Sequence, residues 1–150
     1  MQTRAWAEGT VHEGPFGADI RYDLGARDMM QIRRGLRFAA ELLFAAGARE
    51  VWPGIHGLPE RLLPGEAGRL EAGPADPRAY SWILSHLFGT ARMAARASAG
   101  VVGHDFAVHG IPNLVVADSS VFPTNLGVNP QHAIMAVARL CAERLADRRS

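Results

Sequence analysis

The chain of 150 residues contains no lysine, so all sixteen of its basic side chains are arginine. Set against fifteen acidic residues they leave a formal charge of +1, which excludes the strongly basic footprint of a nucleic-acid-binding protein. The arginine bias accompanies abundant alanine and glycine and carries no functional weight. Cysteine is nearly absent: Cys141 stands alone and cannot close an internal disulfide, which fits a reducing compartment. No uninterrupted apolar run approaches the ~20 residues that span a bilayer, so no membrane span is expected. The opening MQTRAWAEGTVHEG lacks the basic start and apolar centre of a secretory signal. If Met1 is the true start, the expected location is cytoplasmic.

Two further absences narrow the chemistry. His12, His56, His104 and His109 have no histidine or carboxylate partners at metal-ligand spacing, so no metal site is expected. Ser119 and Ser120 lack the Gly-x-Ser-x-Gly elbow of a serine hydrolase. What is present is a hydrophobic content of 48%, enough in one ordinary domain to form a core.

Gly9 to Leu24 reads as a hairpin in which Ile20, Tyr22 and Leu24 alternate with Asp19, Arg21 and Asp23, so one face of the second strand should be buried. A helix is predicted from about Asp28, with Asp28 and Gln31 at capping-box spacing. Its apolar stripe would be Ile32, Leu36, Ala39, Leu43 and Phe44, and Gly47 would stop it. AREVWP then reads as a short strand closed by Pro53. Residues 53–79 hold five of the nine prolines and repeated glycines. They are predicted to be irregular, with a turn of helix in PERLL, and are either a functional or mobile connection or a tolerated surface loop.

Beyond SHLFGTARM (85–93), GVVGHDFAVHG and NLVVADSS read as extended segments, the latter a strand buried on both faces. A last helix should run from about Pro130 to Leu145, with Asn129 as N-cap and Pro130 in its first turn. Ile134, Val137, Ala138, Cys141 and Leu145 would share its buried face. Its N-terminus, reached through DSSVFPTNLGVNP, would either stabilise an anion or a cofactor that becomes anionic, or serve as an ordinary strand-to-helix connection.

In this order and spacing SHLFGTARM, AVHGIPNLVVADSSVFPTNLGVNP and the helix that follows resemble the C-terminal part of the glucose-methanol-choline (GMC) oxidoreductases. No single element is specific; the ordered combination is. The likeness is strongest over 85–145 and extends more weakly back to the hairpin, so that residues 1–150 read as one GMC C-terminal domain. The resemblance implies an α+β fold of mixed α/β character, with the hairpin extending a substrate-side sheet and LVVAD with the last helix packing into an FAD-binding half. It implies FAD as cofactor and a small-molecule alcohol as substrate, oxidised by hydride transfer to the flavin. His86 matches the active-site histidine that takes the hydroxyl proton, and Asn129 the position that hydrogen-bonds the substrate oxygen. Asp118 and Ser119 fall where the family contacts the phosphate and ribityl part of FAD, and Pro130 lies beside the flavin ring. The residue types suit these tasks: imidazole accepts a proton near neutral pH, whereas an amide can only orient or polarise. His132, three residues after Asn129, reads as an accessory or structural residue.

The chain departs from the family in Ala94, which replaces a common glycine, and in VVGHDF, which replaces the usual acidic residue after two valines. The larger departure is the missing Gly-x-Gly-x-x-Gly fingerprint that holds the ADP part of FAD; GIHGLPERLLPG has glycines at other spacings. Two functions follow as expectations. One is the C-terminal catalytic portion of an alcohol oxidoreductase, partnered by an FAD-binding N-terminal portion on the same gene product or a separate chain. The other is a non-catalytic truncated remnant or interaction module unable to bind FAD alone.

Overall fold

A computed structural model describes residues 4–83 and 85–147, and the chain divides into two compact units, the first ending at Ile83. As expected, the fold mixes helix with a small sheet.

In the first unit, β1 (Thr10–Gly14) pairs antiparallel with β2 (Gly17–Arg21) across a Pro15-Phe16 turn, with Val11 opposite Ile20. Gly17 takes φ +130°, a conformation that disfavours any side chain. Of the predicted buried face, Leu24 packs half-buried against the core, while Ile20 and Tyr22 are exposed. Val11 and Ile20 remain exposed, because a two-stranded ribbon shows both faces and, among the described residues, no apolar layer of its unit covers this one.

α1 (Ala26–Ala45) begins two residues earlier than its sequence suggests. Asp28 is not the N-cap but the third helical residue, and it reaches back so that its Oδ2 accepts the Gly25 amide at 3.1 Å. Its Oδ1 accepts the Trp6 amide at 2.6 Å, and the side chain is buried. A carboxylate in the first turn also complements the helix dipole. Met29, Ile32, Leu36, Ala40 and Phe44 turn toward the core, whereas Leu43, expected there, is exposed. Ile32, Leu36 and Phe44 are as predicted, and the 3.6-residue period carries the stripe through Met29 and Ala40 rather than Leu43. Gly47, at φ +96°, stops the helix as expected, its amide bonded to the Phe44 carbonyl.

Residues 53–79 are largely irregular, as expected, but they are not merely a surface loop: they supply half of the buried residues of this core. Leu62 is fully buried, and Ile55, Ala67 and Leu70, with Tyr80 just after the segment, are buried against the α1 stripe. AREVWP contributes one bridge and no strand, Val51 and Leu62 exchanging amide–carbonyl bonds at 2.9 and 2.8 Å. The short helix is α2 (Gly68–Glu71) and not PERLL, since Leu62 is used in that bridge. Arg33 Nη1 donates to the Gly73 carbonyl at 2.8 Å, and Arg37 pairs with Glu71 at 2.7 Å, tying α2 to α1. The segment is anchored by individual apolar residues rather than by periodicity.

The second unit is a framework of single bridges, Met93 with Val102, Val102 with Val108, and Ala107 with Val115, under α3 (Gln131–Asp147). Val102, Phe106, Val121 and Cys141 form its core. NLVVADSS is not a strand buried on both faces: Leu114 is exposed and Val115 to Ala117 are half-buried, because one bridge leaves the segment's other edge without a neighbour in the described residues. On α3, Val137, Cys141 and Leu145 pack inward as expected, while Ala138 is exposed.

Candidate active site

His86 stands in the left-handed region at φ +62°, three residues before Gly89 at φ +83°. For a residue with a side chain that conformation is uncommon, and it persists where the surroundings over-determine it. The surroundings here are the chain around Asp118. Beyond His86, the Ala91 amide donates to the Ser120 carbonyl at 3.1 Å and the Met93 amide to the Val121 carbonyl at 2.9 Å. Phe88 meets Phe122 edge to face, with ring centroids 5.8 Å apart. Two loops distant in sequence are thereby laced together.

Asp118 caps the 3-10 turn Ser119–Val121: its Oδ1 accepts the Ser120 amide at 2.8 Å and the Ser120 hydroxyl as well. These hydrogen bonds, the hydroxyl's first and the amide's second, hold its carboxyl below the usual carboxylate range. Further on, Asn129 Oδ1 accepts the Gln131 amide at 3.4 Å, and the Ile134 amide closes the first helical bond onto the Pro130 carbonyl at 2.9 Å. The Asn129 side chain holds a helix-start amide as foreseen, but α3 starts at Gln131, so Pro130 stands at the N-cap position and Asn129 one residue before it. With Oδ1 turned to the helix, the Nδ2 group is the donor that Asn129 offers a ligand.

His86, Asn129 and Pro130 line one open cleft of about 410 Å³ together with Gln131, Ile134 and Met135. Residues far apart in sequence thus meet at the start of α3, where helical amides carry partial positive charge. Among the described residues no carboxylate lines the cleft. Asp118 and Ser119 are not among its walls, and His132, exposed in the first turn of α3, is not either. Gln131, Ile134 and Met135 went unforeseen as walls; helical spacing from Asn129 was the signal that could have found them. His109 Nε2 lies 3.0 Å from the Ala94 carbonyl. Among the described residues no cluster of three or more His, Cys, Asp or Glu is placed to hold a metal.

Comparison with known proteins places the chain that carries this histidine loop, Asp-capped turn and Asn-Pro helix start in a family. The GMC oxidoreductase family profile matches residues 7–138, and the chain belongs to that family. It is 36% identical over 124 residues to an uncharacterised GMC-type oxidoreductase of Sinorhizobium fredii, covering 83% of this chain and 25% of the relative. It is 36% identical over 137 residues to an uncharacterised GMC-type oxidoreductase of Mycobacterium tuberculosis, covering 91% and 22%. A long-chain-alcohol oxidase of Arabidopsis thaliana is 32% identical over 129 residues, covering 79% and 18%. The chain therefore spans a quarter or less of the length of these relatives.

The residues present fit one part of FAD and not another. A flavin ring beside Pro130 would meet helix amides and the Asn129 amide with no opposing carboxylate among the described residues, a donor set suited to a ring system that gains negative charge. The ADP part finds no such cradle among the described residues. The one strand-to-helix step of the first unit leads into α1, whose N-terminus is already occupied by the Asp28 carboxylate, a group that repels phosphate. Across the described residues, no helix is long and apolar enough to cross a membrane.

Proposed function

We propose that this chain is the C-terminal catalytic portion of an FAD-dependent oxidoreductase acting on the CH–OH group of an alcohol. The observation that carries the reading is the convergence of His86 and Asn129 on one cleft at the N-terminus of α3. Bound FAD would supply the hydride acceptor. His86 takes the hydroxyl proton, which lets the substrate oxygen become a carbonyl as the carbon loses hydride. Asn129 Nδ2 donates to that oxygen and orients it, while its Oδ1 stays on the Gln131 amide. Ile134 and Met135 give the cleft an apolar wall beside these polar groups, a combination that suits an aliphatic alcohol. The Arabidopsis relative, a long-chain-alcohol oxidase, supports the same class.

The occupied start of α1 favours a second element of the reading: an FAD-binding N-terminal portion, in the same gene product or on another chain, holds most of the cofactor. If none is supplied, the chain acts as a binding module without activity. Titrating the purified chain with FAD, alone and with that portion, tests this. Alcohol-dependent bleaching of flavin absorbance only in the combined sample is the expected result. Absence of bleaching with every alcohol in the combined sample, with flavin bound, would remove the catalytic assignment.

A further inference from the structure

We infer that Asp118 is a positioning residue for His86, acting through the backbone of Ala91 and Met93. The inference rests on the reading of His86 as proton acceptor, but its geometry stands apart from it. Asp118 Oδ1 fixes the turn at Ser120 by taking both the amide and the hydroxyl of that residue. The turn presents the Ser120 and Val121 carbonyls side by side, and these receive the Ala91 and Met93 amides. The Phe122 ring that follows packs on Phe88, two residues beyond His86. One carboxylate oxygen therefore sets the register between the loop that carries His86 and the loop that leads to Asn129. Asp118 lines no part of the cleft that His86 and Asn129 share.

The rival role is a direct contact to the cofactor. A carboxylate gains nothing from a phosphate of like charge, and Oδ1 already accepts two bonds, so a cofactor contact would have to be a ribityl hydroxyl donating to Oδ2. The two roles also differ in what an amide would do in its place. Asp118→Asn keeps an acceptor for Ser120 and removes the charge, whereas Asp118→Ala removes both.

The test is amide hydrogen exchange by NMR on the full 150-residue chain, with cross-peaks from the His86 ring to Asn129 and Pro130 as second readout. In Asp118→Ala, exchange at Ala91 and Met93 should rise roughly tenfold while α3 amides keep their rates, and the His86 cross-peaks should weaken. Asp118→Asn should restore both. Unchanged exchange and unchanged cross-peaks in Asp118→Ala overturn the inference. Should Asp118→Ala unfold the unit, Ser120→Ala decides: faster exchange confined to Ala91 and Met93 supports it, and wild-type exchange overturns it. In flavin-loaded protein, Asp118→Ala should lower kcat with KM and bound FAD kept, and Asp118→Asn should rescue it. Loss of FAD from both variants alike assigns Asp118 to the cofactor instead. Wild-type turnover in His86→Ala would remove the proton-acceptor reading and leave the exchange result standing.

Discussion

Asp28 fastens Trp6 to the start of α1: one carboxylate oxygen takes the Trp6 amide at 2.6 Å while the other takes the Gly25 amide at 3.1 Å. Arg27 stacks over the Trp6 ring at 3.7 Å and closes the same joint from outside. Asp28→Ala would strand two amides and is expected to destabilise the protein by about 2–3 kcal/mol. Asp28→Asn, which keeps one acceptor, should cost less. Urea unfolding of both variants checks the order, and equal stability of all three proteins would show that the joint contributes nothing.

The proline-rich stretch can be tested by contrast. Leu62 is fully buried and Leu63 is exposed. Leu62→Ala should cost about 2–5 kcal/mol and Leu63→Ala within ~0.5 kcal/mol of nothing. Similar costs for the two would contradict the core assignment of residues 53–79.

That stretch also shows what a sequence conceals. α1, α3, Gly47 and the Asn129 cap were legible because periodicity, capping residues and helix-stopping glycines act locally. Leu62 and Ile55 were not, since a core built from single anchors in an irregular chain has no period to detect. The buried faces expected for Ile20 and for NLVVADSS follow correctly from alternation and apolar run length. Neither is satisfied in this chain, because burial depends on neighbours that local pattern does not name. At the site, His86 and Asn129 could be singled out from the sequence by family resemblance. The left-handed backbone of His86 could not, because no turn residue at that position announces it and long-range bonds near Ser120 accompany it.

Asn129 performs two tasks that substitution can separate. Asn129→Asp keeps an oxygen for the Gln131 amide but loses the Nδ2 donor, so α3 should hold while alcohol oxidation falls about 100-fold. Asn129→Ala should lose both, with stability lower by about 1 kcal/mol. Circular dichroism and steady-state rates, measured on the same samples, distinguish these outcomes. Full activity in Asn129→Asp would exclude the donor role.

Acid should loosen the loop that Asp118 secures. Its carboxyl lies below the usual range in the folded protein, so it contributes stability that is fully present above the unfolded value near ~3.9 and is lost as pH falls through the lower folded value. Asp118→Asn removes this dependence. Exchange rates at Ala91 and Met93 in the wild type, but not in Asp118→Asn, should therefore climb as pH drops below ~3.9, after correction for intrinsic exchange. Parallel profiles would contradict the assignment.

The central claim is that His86 accepts the hydroxyl proton, and it is read most directly in the anaerobic rate of flavin reduction by a saturating alcohol. His86→Ala and the wild type are compared in flavin-loaded protein, with bound FAD quantified in the same samples. The account predicts a fall of about 10²–10⁴-fold with flavin content unchanged. A rate within about twofold of the wild type, at equal flavin content, would contradict it.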